Sequence, residues 1–112
     1  SGLLEKGRIK EFYIELAEIM KRYLEARFGV DTFERTTSEI LEALRLARLP
    51  VRGMTSTSEF FGACDMVKFA RHVPASEETR ATVERAYRLI DETKAPEQPA
   101  EAPASVAAGG AR

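Results

Sequence analysis

The chain has 112 residues, 44% of them apolar and 31% charged, with a net charge of −1. That length allows one domain and one modest core, burying roughly 60–70% of the surface of the unfolded chain. The near-neutral balance gives no bulk pull toward nucleic acid or anionic lipid. No apolar run approaches the roughly 20 residues of a membrane-spanning helix, and the N-terminus lacks a signal-peptide pattern. The lone cysteine, Cys64, excludes an intrachain disulfide and leaves the redox compartment open, with a lean toward the cytosol.

Ser1-Gly2 reads as a cloning or protease scar, with the natural protein expected to extend upstream. Leu3 and Leu4, set off by Gly7, read as the end of a preceding helix, so residues 1–8 form a linker or fragment ahead of the domain. The clearest element runs from Ile9 to Phe28. Ile9, Phe12, Tyr13, Leu16, Ile19, Met20, Tyr23, Leu24 and Phe28 recur at steps of three and four, giving a wide apolar stripe on one side of a helix. Gly29 stops it, because glycine takes the left-handed C′ conformation without steric cost. Val30 to Phe33 then form a short connection whose apolar residues plug the end of a bundle.

Thr36-Thr37-Ser38-Glu39 matches a capping box, in which Thr36 accepts the amide of Glu39 and Glu39 reaches back to the cap amide. A second helix is predicted over Thr37 to Ala47, burying Ile40, Leu41 and Leu44. Pro50 and Gly53 end it and open a loop. A third helix is predicted from Ser58 to Arg71, with Phe60, Phe61, Cys64, Val67 and Phe69 apolar and Pro74 breaking it. Ser76 caps a fourth, ending near Thr93, whose narrower stripe is Val83, Ala86, Tyr87 and Ile90. Glu77 and Glu78 suit its positive end. The central core is expected to include Phe12, Leu16, Tyr23, Leu41, Phe61, Val67, Phe69 and Tyr87.

From Ala95 the composition turns to Ala, Pro, Glu and Gly without a large apolar residue, which predicts a disordered tail over 95–112. The expected architecture is therefore all-α, a compact bundle of four main helices over residues 9–94 followed by that tail.

Residues with chemistry to offer are few. Cys64 and His72 are the only Cys and His, without the paired spacing of a metal site. They lie eight positions apart along one helix or its end, too far for a nucleophile–base pair. The glycines are isolated and no glycine-rich loop joins a strand to a helix. No catalytic, cofactor-binding or metal-ligating residue is assigned, no cofactor is expected, and the chain reads as non-enzymatic. Successive short helices allow a helix-turn-helix, but the charges of the third and fourth helices alternate in sign, so a nucleic-acid-binding domain is the alternative. A small-molecule-binding bundle ranks third, for want of an inward polar constellation.

The most unusual segment is Phe60-Phe61-Gly62-Ala63-Cys64-Asp65-Met66-Val67-Lys68-Phe69-Ala70. Asp65 and Lys68 stand at i and i+3 within an apolar run, where they can face each other. They read either as a half-buried ion pair that seats the third helix or as part of a binding patch. Phe60 and Phe61 point about 100° apart, so both fill the core or one stands at an edge as an anchor. Phe60, Phe61, Asp65 and Lys68 are the candidate interaction residues, with the Pro50–Ser58 loop as an adaptable neighbour.

Three segments taken together resemble a known family: Ile9-Lys10-Glu11-Phe12-Tyr13 leading to Arg22-Tyr23-Leu24-Glu25-Ala26-Arg27-Phe28-Gly29-Val30, then Thr36-Thr37-Ser38-Glu39-Ile40-Leu41, then Ala63-Cys64-Asp65-Met66-Val67-Lys68-Phe69-Ala70-Arg71 with Pro74 following. The chain resembles, over about Gly7 to Thr93, the cytoplasmic C-terminal region of BatD-like membrane proteins and their short single-span relatives. These are bacterial proteins encoded beside a MoxR-type AAA+ ATPase and von Willebrand factor A proteins. Cys64 stands where another small or apolar residue is expected, so no thiol function is implied, and no catalytic residue carries over. The resemblance implies a cytoplasmic docking or scaffolding module tethered to the inner membrane by a segment upstream of Ser1. The implied partners are a MoxR-type ATPase or von Willebrand factor A proteins, in a stress or maturation system.

Overall fold

The computed structural model describes residues 2–95, and the tail expected from Ala95 onward lies, but for its first residue, outside them. Four helices make up the described residues: α1 (Gly2–Phe28), α2 (Thr37–Leu46), α3 (Val51–Phe69) and α4 (Ser76–Thr93). They form the expected all-α bundle. Among them α3 is central, packing against α1, α2 and α4, most extensively against α4. No helix of the described residues is long and apolar enough to cross a membrane.

Gly7 does not interrupt α1, which runs unbroken from Gly2, so Leu3 and Leu4 belong to the first helix and not to a preceding one. Gly29 ends it as expected, with φ of +69° and its amide on the Glu25 carbonyl at 2.8 Å. The face that α1 buries is Tyr13, Ala17, Met20 and Leu24, one step round from the expected centre. Phe12 is 43% exposed, and Leu16 and Tyr23 are half-buried. The apolar arc is wider than the contact. Small Ala17, with no exposed surface, lies at its middle.

The α1–α2 connection plugs the bundle only in part. Val30 packs on the core, but Phe33 stands 74% exposed. The Thr36–Glu39 capping box forms in both directions, at 3.1 and 2.8 Å. Ile40 and Leu44 are buried in α2, and Leu41 is half-buried.

The predicted loop from Val51 to Thr57 is instead the first two turns of α3. The second helix stops at Ala47 through Arg48, whose φ of +70° turns the chain, and Pro50 then stands at the N-cap of α3. Hydroxyl residues that signal a loop are tolerated here because their hydroxyls find partners. Thr57 donates to the Gly53 carbonyl at 2.8 Å, Thr55 to that of Val51 at 3.2 Å, and Ser56 to the Glu92 carboxylate.

Phe60 and Phe61 both enter the core, edge to face with centroids 5.0 Å apart. Neighbours on three sides of α3 make that possible. In α4 the N-cap is Ala75, and Ser76 is the first helical residue; Glu78 satisfies the Ala75 amide at 2.8 Å. The buried stripe is Thr82, Ala86, Leu89 and Thr93, with Val83 and Ile90 half-buried. Tyr87, expected in the core, is 71% exposed.

Candidate functional site

Phe61, Asp65 and Phe69 follow one another at i, i+4 and i+8, so they share one side of α3. Their exposure climbs along it. Phe61 is buried, Asp65 half-buried, and Phe69, one of the expected core residues, is 74% exposed. Phe69 closes the last turn of α3 on the side away from buried Val67. Its ring stands at the mouth of a cleft of about 340 Å³, floored by Ile40 and Phe61 and walled by Lys21, Arg35, Asp65 and Lys68.

The expected Asp65–Lys68 ion pair does not form. Asp65 instead accepts the Thr37 hydroxyl at 2.7 Å, which ties the first residue of α2 to α3. A carboxylate is also favoured there by the positive end of α2. Lys68 places its ammonium 5.1 Å from the centroid of Phe69, a cation–π contact. Of the four candidate residues, Phe60 and Phe61 are core and Asp65 is occupied internally. Lys68, half-buried like Asp65, has the Phe69 ring as its partner. The sequence signal for Phe69 was its place, last before Ala70-Arg71-His72-Val73-Pro74.

Glu34 and Arg35 also line a second, open groove on the far side of the connection, where Phe33 and Leu46 are 74% and 67% exposed. Two exposed phenylalanines therefore flank one short wall. The long connection from Gly29 to Thr36 and the early end of α2 leave these side chains outside the bundle.

The remaining chemistry is quiet. Cys64 is fully buried, and burial pushes its thiol up to about 12, so the sulfur is held protonated. His72 Nε2 lies 2.9 Å from the Glu78 carboxylate. Glu78 is held below the ordinary carboxylate range first by the Ala75 amide and then by His72. Among the described residues no group of three His, Cys, Asp or Glu is placed to hold a metal. A groove of about 750 Å³ between α3 and α4 has Tyr13 at its floor, with its hydroxyl 3.1 Å from that of Thr79 and 3.4 Å from that of Thr82. Comparison with known proteins finds no matching family model, no similar curated sequence and no similar solved structure.

Proposed function

We propose that this chain is a non-catalytic docking module that presents Phe69, with Lys68 over its ring, to a protein partner. The observation that carries this reading is the exposed Phe69 ring at the mouth of a cleft floored by core residues. A large aromatic beside a concave, mixed-charge wall is the kind of anchor on which binding energy concentrates. Phe33 and Leu46, across Glu34 and Arg35, extend the same surface. The resemblance to BatD-like proteins supports a MoxR-type ATPase or a von Willebrand factor A protein as that partner. It also supports a cytoplasmic position beside the inner membrane.

The test is capture of those partners from purified components by the wild-type chain and by Phe69→Ala and Phe33→Ala. Both side chains are largely exposed, so both variants should melt within a few degrees of wild type. Phe69→Ala should weaken capture by at least about tenfold, the size expected of a central anchor. Unchanged capture by both variants, or no capture by the wild type, rejects the proposal.

A further inference from the structure

A separate cleft of about 470 Å³ opens between the N-terminal half of α1 and the α3–α4 connection. Its floor is apolar and recessed: Ile9 is half-buried, and Val67 and Pro74 are buried. Its rim is basic. Lys6 and Lys10, one turn apart on α1, face Lys68 and Arg71 at the end of α3, and no carboxylate lines the cleft. None of these four cations forms a salt bridge with a described residue, as is true of most Lys and Arg side chains described, and Lys68 rests its ammonium on the Phe69 ring. In a chain whose net charge is only −1, these four cations are a local cluster of positive charge over an apolar trough, bounded on one side by His72, which holds the Glu78 carboxylate at 2.9 Å.

We infer that this cleft binds an acidic peptide segment of a partner protein, seating an apolar side chain on the Ile9–Val67 floor between the two basic walls. The inference deepens the docking reading and rests on it. Shape and charge together favour a peptide. A lipid bilayer is too flat to reach a recessed floor, and a nucleic-acid backbone would leave that floor empty. An acidic strand carrying an occasional leucine satisfies both features at once, and the charges should speed its encounter. The volume lies within the range of about 300–1,000 Å³ usual for pockets that take a drug-sized ligand, room enough for an apolar side chain and the backbone that carries it.

Amide NMR of the isotope-labelled chain, titrated with a blocked peptide of alternating glutamate and leucine, tests this. Shifts should concentrate at Lys6–Lys10 and Val67–Val73 and should fade as salt rises. Lys10→Glu and Arg71→Glu should each weaken binding about tenfold, while Arg88→Glu, an equal charge change on α4, should not. Equal loss in Arg88→Glu, shifts spread over the whole surface, or no shift at all overturns the assignment. So does tighter binding at the same amides by phosphatidylserine vesicles or duplex DNA. Lys68, on the Phe69 ring, lines both clefts, so Phe69→Ala should weaken the peptide far less than Lys10→Glu, and failure of the cleft and failure of the Phe69 anchor are read by Lys10→Glu and Phe69→Ala respectively.

Discussion

The Glu25 side chain braces the turn after α1. Its carboxylate accepts the Thr32 hydroxyl at 2.6 Å and the Thr32 amide at 3.1 Å, and Thr32 is 3% exposed. The hydroxyl first, and the amide second, hold the carboxyl below its ordinary value of 4.5. The charged form is therefore preferred in the folded chain. Its stabilising contribution is complete above the unfolded value and is lost as pH falls through the lower folded one. Glu25→Gln keeps an acceptor without that titration. Thermal melts from neutral to acidic pH should show a shallower acid limb for the variant, and parallel limbs would deny Glu25 this role.

Two glycines in α3 should respond to alanine with opposite signs. A Cβ on Gly53 would lie 2.9 Å from the Thr93 methyl and 3.1 Å from Leu49, and the Thr93 hydroxyl is already fixed on the Leu89 carbonyl and Tyr23. Nothing lies within 4 Å of the equivalent point on Gly62. Urea unfolding should find Gly53→Ala destabilised by about 1–2 kcal/mol despite its better helix propensity, and Gly62→Ala stabilised by about 0.5–1 kcal/mol. The same helix shows where the sequence was legible. The capping box at Thr36 and the stop at Gly29 are local chemistry, and both were readable. The start of α3 was not, because Gly53 and the Thr55–Ser58 run favour helix only once Glu92 and the approach of α4 are in place. Phe69 and Tyr87 carry core-like side chains at helical spacing, and only the arrangement of neighbours decides that they stay outside. The candidate site was half legible for that reason: the segment was identified, while which of its aromatics faces outward depended on packing.

Across the molecule, α4 is laced to α1 near both ends. Tyr13 meets Thr79 and Thr82 at one, and at the other Tyr23 meets Thr93 while Arg27 donates to the Thr93 carbonyl at 2.8 Å. Native-state hydrogen exchange should therefore show α1 and α4 opening together, and early exchange of α4 alone would contradict the lacing. The central place of α3 has a further effect on cooperativity. Every other helix leans on it, so detaching any one strips cover from Phe60, Phe61 or Cys64 and leaves no smaller unit with a closed core. Such a chain has no stable halfway house. Its exposed aromatics, Phe33 and Phe69 among them, should then lose their settings in the same global transition that exposes Phe60 and Phe61.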